Sequence, residues 1–293
     1  MKTNLFITLA GALALNFITN AQNIFVADYS ANVIDEFTPG GGQSTFASGL
    51  NNPFGIAFDS SGDLFVADDG TDNIYKYPPG GAQNTFATVP SYPHGLACDS
   101  AGNLYVANFF EGSITKITPG GAQSTFASGL SGPNLISIDG QGNLFVADYY
   151  NGSVSKITPG GVQSTIVSGL PLVNSVAVNS VGDLFVAVAT ANSPNSGTIL
   201  EFTPGGLQST FASGLSNPSG MGFDAADNLF VADAGNGNVY EYTPGGVRST
   251  FATGLQQPVG LAIQPVPEPS VWAMFGTGAV MLFGLRLRSV RKM

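Results

Sequence analysis

The sequence holds one cysteine, one histidine and one tryptophan in 293 residues, and only 10% of it is charged. A single cysteine excludes a disulfide framework and a cysteine-rich zinc site, and one histidine cannot furnish the two or three imidazoles that catalytic zinc commonly takes. Basic residues are scarcer still in the body of the chain. Between residues 22 and 264 only Lys76, Lys116, Lys156 and Arg248 are cationic, against 18 of the 19 carboxylates, a balance of −14. Such a body repels a phosphate backbone, so no nucleic acid is expected among its partners. Disorder is excluded by the 43% of apolar residues, and collagen by a count of 39 glycines, far below one in three.

Long apolar runs are absent as well, and the two short ones lie at the ends. Residues 1–21 read as a secretory signal: Lys2 is the positive start, Leu5 to Phe17 the apolar stretch, and Thr19-Asn20-Ala21 the small-residue cleavage site. Its 13 apolar residues fall short of the roughly 20 that span a bilayer. At the other end, Val266-Pro267-Glu268-Pro269-Ser270 precedes the apolar run Val271 to Leu285, which is followed by Arg286, Arg288, Arg291 and Lys292. That basic cluster would keep the C-terminus in the cytoplasm and leave residues 22–264 outside. Pro-Glu-Pro, a short apolar helix and an arginine cluster, in that order, resemble a PEP-CTERM sorting signal, carried by Pro267, Glu268 and Pro269. The resemblance implies processing by an exosortase-type enzyme, transient membrane association through the C-terminal helix, and delivery to the surface or exopolysaccharide matrix of a Gram-negative-type bacterium. A plain C-terminal anchor is the alternative. The expected organisation is therefore a signal peptide at 1–21, one domain at 22–264 and a sorting tail at 265–293.

The domain is one motif written six times. Leu-Phe-Val-Ala-Asp and its variants place an aromatic at Phe25, Phe65, Tyr105, Phe145, Phe185 and Phe230, and a Pro-Gly-Gly turn recurs at Pro39, Pro79, Pro119, Pro159, Pro204 and Pro244. The period is 40 residues, with five extra between Phe185 and Pro204, where Ala189 to Gly197 lengthens one loop. Each unit reads as four short strands, for example Gly55 to Asp59, Leu64 to Ala67, Ile74 to Tyr77 and Asn84 to Ala87, with Pro79-Gly80 suited to a type II turn. The first two strands are apolar at successive positions, so both faces must be buried. A β-propeller meets that demand, since each four-stranded blade is packed between two others. Six repeats predict an all-β, six-bladed propeller. Its ring is expected to close by pairing Ile24 to Ala27 with the orphan strand Gly260 to Gln264.

The repeat wording, Pro-x-Gly-Ile/Leu-Ala-x-Asp followed by Gly-Asn/Asp-Leu-Phe/Tyr-Val-Ala-Asp, resembles NHL repeats and the related virginiamycin B lyase and gluconolactonase propellers. A WD40 or kelch reading is disfavoured, because the lone Trp272 lies in the tail. In such propellers ligands sit over the central channel, and the aligned positions there are Phe54, His94, Asn134, Asn174, Ser219 and Val259. The lactonase resemblance implies a divalent cation at Asn134 and Asn174, but this ring lacks the charged oxygens that a hard cation wants. The lyase resemblance implies a histidine acid or base, which could only be His94. Cys98 shares a strand with His94 at about 13 Å, too far for a thiolate–imidazole pair.

Asp68, Asp69 and Asp72 crowd one loop and form a candidate calcium site. However, Asp28, Asp68, Asn108, Asp148 and Asp233 share one repeat position, as expected of residues that cap a turn. The residues that break the repeat, namely the mouth set and the Thr190 to Gly197 insertion, are where specific function is expected. Taken together, the sequence predicts an exported binding propeller without a cofactor, whose partner is a polysaccharide or surface protein. A lactonase- or lyase-like enzyme acting through His94, Asn134 and Asn174 is the alternative.

Overall fold

The computed structural model describes residues 22–189 and 195–265. Among them are 24 strands in six four-stranded antiparallel sheets, and one helix, a three-residue 3₁₀ turn at Asp69–Thr71. The signal segment 1–21, the expected C-terminal helix with its Pro267-Glu268-Pro269 motif, and part of the insertion lie outside the described residues.

Blade 2 is representative. Strand β4 (Pro53–Phe58) is innermost, followed outward by β5 (Leu64–Asp68), β6 (Asn73–Tyr77) and β7 (Asn84–Thr88). Every residue of β5 is buried, as its unbroken apolar run requires. Outward from it the blade becomes wet, and β7 is largely exposed. Gly80 takes φ +65°, as a type II turn after Pro79 demands, and the Gly81 amide closes the turn on Pro78 at 2.8 Å. In the other five blades the left-handed residue comes one position later, at Gly41, Gly121, Gly161, Gly206 and Gly246.

The ring closes as a permuted blade. Strand β1 (Ile24–Asp28) pairs on one side with β2 (Val33–Phe37) and on the other with β24 (Pro258–Ile263), Ile24 opposite Ile263. Blade 1 is thus built from both ends of the domain, with β3 (Gln43–Ser48) at its rim. The remaining innermost strands are β8 (Pro93–Cys98), β12 (Pro133–Ile138), β16 (Leu172–Val178) and β20 (Pro218–Phe223), opening blades 3 to 6 in turn. Neighbouring inner strands meet backbone to backbone. A Cβ on Gly55 would stand 2.0 Å from the His94 carbonyl oxygen, and one on Gly260 2.0 Å from that of Phe54. Glycine at these places draws the ring tight.

Between the blades lie six apolar clusters, each joining strands of adjacent sheets. Fully buried Ile34, Ile74, Ile114, Ile157 and Ile199 contribute about 1.5–3 kcal/mol each by leaving water. The repeat aspartates cap the turns that precede each blade. Asp28 accepts from the Gln256 and Gln257 amides, Asp68 from Asn51, Asp148 from Ser131 and Asp233 from Ser216, all at 2.6–2.8 Å. Asn108 instead donates to Ser113 and Thr115 at 2.8 Å.

Candidate functional site

Every inner strand carries a β-bulge at the same place. In β4 Pro53 faces Asp68 while Ile56 faces Val66, so an extra residue is accommodated at Phe54-Gly55, and the shift recurs in the other five blades. Bulges re-aim side chains. Here they present Phe54, His94, Asn134, Asn174, Ser219 and Val259 at one end of the channel, all of them buried except half-buried Phe54.

His94 is held on every side. Its ring lies flat against Phe54, centroids 4.0 Å apart, and is backed by Phe109 at 4.3 Å. Nδ1 is 3.2 Å from Asn134 Oδ1, and Nε2 is 3.5 Å from Asp69 Oδ2. With Nδ1–H donating to Asn134, Nε2 can also meet the carboxylate as a donor only when both nitrogens carry protons. Asp69 is 4% exposed, and its Oδ1 has no partner among the described residues. A buried carboxylate oxygen without a hydrogen bond is costly, so the position of Asp69 is held by the turn and by His94 rather than by that oxygen.

The three acidic residues of the 68–73 loop go separate ways. Asp68 caps the Asn51 turn and accepts from Thr71, Asp69 turns to His94, and Asp72, with φ +56°, accepts from the Tyr92 amide at 3.2 Å. Burial, helped by the charge of Asp69, raises the Asp68 pKa despite its two hydrogen bonds. Asn134 spends its oxygen on His94, and Asn174 donates its amide to Asn217 and the Pro218 carbonyl. Among the described residues no three of His, Cys, Asp and Glu gather as a metal site. This donor set does not fit the divalent cation of the lactonase resemblance. Cys98 is half-buried in the clusters beside β8, and burial pushes its thiol up to about 12.

Around the mouth set runs a second ring that sequence reasoning missed. It follows the repeat Asp or its equivalent and reads Tyr29, Asp69, Phe109, Tyr149, Ala189 and Ala234. Phe110 and Tyr150 double the aromatic in blades 3 and 4, and the signal was visible as Phe109-Phe110 and Tyr149-Tyr150 at one repeat position. The rings touch in series: Tyr29 on Phe54 at 6.0 Å, His94 on Phe109, Phe109 on Phe110 at 5.2 Å and on Tyr150 at 5.4 Å, and Phe110 on Tyr92 at 4.7 Å. Their outer members face solvent, Phe110 at 65%, Tyr150 at 60% and Tyr92 at 46% exposure. The backbone beneath them is fixed. Amides of Phe109, Tyr149 and Tyr150 donate to the carbonyls of Tyr92, Gly132 and Ser131 at 3.0–3.1 Å. Gly132, at φ +68°, lets Tyr150 lie against the chain, where a Cβ would be 2.7 Å from that ring. A shallow groove of about 250 Å³ continues from Tyr149 and Tyr150 toward Pro171 and Ala189. Burial raises the phenol pKa values of Tyr29 and Tyr149.

No protein-family model and no curated protein matches this sequence. Solved structures do match. A propeller from a nidogen/laminin complex superposes with a TM-score of 0.74 at 17% identity, over 84% of this chain and 99% of that one. Virginiamycin B lyase from Staphylococcus aureus gives 0.62 at 16%, over 82% and 88%. A structural-genomics structure assigned as a gluconolactonase gives 0.63 at 15%, over 76% and 88%. What they share with this chain is the fold. The chain is a six-bladed β-propeller of the architecture used by NHL/nidogen-type, lyase and lactonase-like proteins, and that architecture serves binding and catalysis alike.

Proposed function

We propose that this protein is an exported, non-enzymatic propeller that binds a polysaccharide across the aromatic half of its channel mouth. The observation that carries the reading is the unbroken series of rings from Tyr29 to Tyr92, ending in exposed Tyr92, Phe110 and Tyr150. Exposed aromatic patches mark recognition surfaces, and flat rings complement the C–H faces of sugars while neighbouring polar groups meet the hydroxyls. His94, by contrast, has both ring faces and both nitrogens engaged, an arrangement that favours a wedge over a proton shuttle.

The expected address agrees with this use. Inner strands start at the mouth and run away from it, so Ile263 and its partner Ile24 lie at the opposite face. A tail that tethers the protein from that face, through exosortase-type processing at Pro267-Glu268-Pro269, would leave the aromatic platform pointing outward. Gel retardation in the polysaccharide fraction of the native host tests the reading. Retardation of the wild type that is lost in a Tyr92→Ala, Phe110→Ala, Tyr150→Ala triple variant supports it, and equal mobility of the two refutes it.

A second reading is favoured by the Asp69–His94 contact. As a lactonase-type enzyme the protein would hydrolyse a ring ester at the mouth, His94 taking the proton of the attacking water and returning it to the alkoxide as the acyl C–O bond breaks. As a lyase-type enzyme His94 would take a C–H proton as the alkyl C–O bond breaks to leave a carboxylate and an alkene. Turnover lost in His94→Gln, Asn134→Ala and Asn174→Ala, with folding retained, would establish it in place of the first.

A further inference from the structure

On the face away from the mouth, a groove of about 620 Å³ lies between blades 4 and 5. Two positions open it. In five blades the outermost strand sets a phenylalanine edge-on against the aromatic of the second strand: Phe46 on Phe25, Phe86 on Phe65, Phe126 on Tyr105, Phe211 on Phe185 and Phe251 on Phe230, at 4.8–5.1 Å. Blade 4 has Ile166 at that position, so Phe145 lacks its edge-on ring, and across the gap Val178 stands where blades 2 and 6 have Phe58 and Phe223. The missing rings leave a cleft walled by Phe145, Val178, Phe202 and Pro204. Its volume falls in the range of small-molecule sites.

The cleft also holds a cation that makes no ion pair among the described residues. Lys76, Lys116 and Lys156 share one repeat position. Lys76 is paired with Asp63 at 2.6 Å, and Lys116 lies 5.3 Å over the ring of Tyr105, whose phenol is near it. For Lys156 the corresponding residues are Asn143 and Phe145, so neither a carboxylate nor a phenol is there. Its ammonium lies 5.3 Å over the Phe145 ring and forms no ion pair among the described residues. The cleft's one lining carboxylate, Asp139, is committed to the Gln141 and Asn143 amides and the Asn143 side chain.

We propose that this cleft binds a small organic anion with an apolar body, the anionic group on Lys156 and the body between Phe145, Val178 and Phe202. An unpaired ammonium in half-apolar surroundings attracts an anion more strongly than one in open water does.

The probes are anilinonaphthalene sulfonate and its uncharged counterpart N-phenylnaphthylamine, titrated into the full propeller by fluorescence. The expected result is saturable one-to-one binding of the sulfonate, about tenfold tighter than the neutral probe, which corresponds to about 1.4 kcal/mol. Lys156→Gln should erase that difference. Ile166→Phe restores the residue of the other five blades, so it should fold at least as well as the wild type, by thermal melting, while losing the site. Sulfonate binding unchanged in folded Ile166→Phe, or neutral and anionic probes bound equally by the wild type, would overturn the proposal.

Discussion

The carboxylate of Asp69 meets the imidazole of His94 across a blade boundary, Oδ2 to Nε2 at 3.5 Å, with both residues buried. Each occupies an aligned repeat position at which no other blade has the same residue. The contact ties blade 2 to blade 3 beneath the aromatic platform, and its worth can be measured.

Replacing His94 by alanine removes the ring between Phe54 and Phe109 and leaves Asp69 with neither oxygen paired. The expected cost is about 2–4 kcal/mol in urea unfolding. Because the two residues act together, Asp69→Asn in the His94→Ala background should cost less than Asp69→Asn alone, with a coupling of about 0.5 kcal/mol or more. Strict additivity would show that the contact is incidental.

Exposed Tyr92, Phe110 and Tyr150 touch one another or Phe109 but bury little, so each alanine variant should shift stability by only about 0.5 kcal/mol. Their thermal melts should overlay the wild type while polysaccharide retardation disappears. A large fall in melting temperature would make them structural residues instead.

Asp68 provides a pH test. Its folded pKa is raised above the ordinary 3.8, chiefly by burial. A carboxyl raised on folding contributes stability that is fully present below its unfolded pKa and is lost as pH rises through the folded value. Asp68→Asn keeps the acceptor for the Asn51 amide and can donate to Thr71, and Asn108 already occupies this position in blade 3. At pH 7 the variant should lie within about 1 kcal/mol of the wild type or above it. Between pH 7 and 4 it should gain less stability than the wild type does. A wild type that loses its advantage to the variant only on acidification would reverse the assigned sign.

Gly55 tests the tightness of the ring. Alanine there would place a Cβ 2.0 Å from the His94 carbonyl, whereas around Gly169 nothing lies within 4 Å. Gly55→Ala should cost about 3 kcal/mol or more, against about 1 kcal/mol for Gly169→Ala, whose φ of +76° is its only demand. Comparable melting temperatures for the two would mean that the inner strands can move apart.

The blades were legible because each level of the sequence agrees with the next. Leu64 to Ala67 is apolar throughout, recurs every 40 residues and is buried throughout, and the orphan strand at 260 pairs with the one at 24. The mouth positions Phe54 and His94 followed from alignment of the repeats alone. What the sequence could not convey was direction. Nothing in the spacing of Asp69 and His94 says that a bulge at Phe54-Gly55 and a 3₁₀ turn at Asp69–Thr71 bring them together. Adjacent carboxylates suggested calcium, while the backbone sends Asp68, Asp69 and Asp72 to three different partners. Nothing in the sequence joins Tyr149 and Tyr150 to Phe109 and Tyr92; the packing of neighbouring blades does. Ile166 was readable as the one exception among six aligned residues, though only the packing of Phe145 gives it meaning.

The protein's nine tyrosines make the central claim directly measurable. Tyr92, Tyr149 and Tyr150 stand on the platform and Tyr29 at the inner start of its ring series, whereas Tyr75, Tyr77, Tyr105, Tyr240 and Tyr242 lie within strands. In the propeller labelled with ¹³C-tyrosine, titration with oligosaccharides cut from the host polysaccharide should shift the platform resonances in step and leave those of the strands in place. Binding that moves the strand tyrosines and spares Tyr92, Tyr149 and Tyr150 would contradict the account.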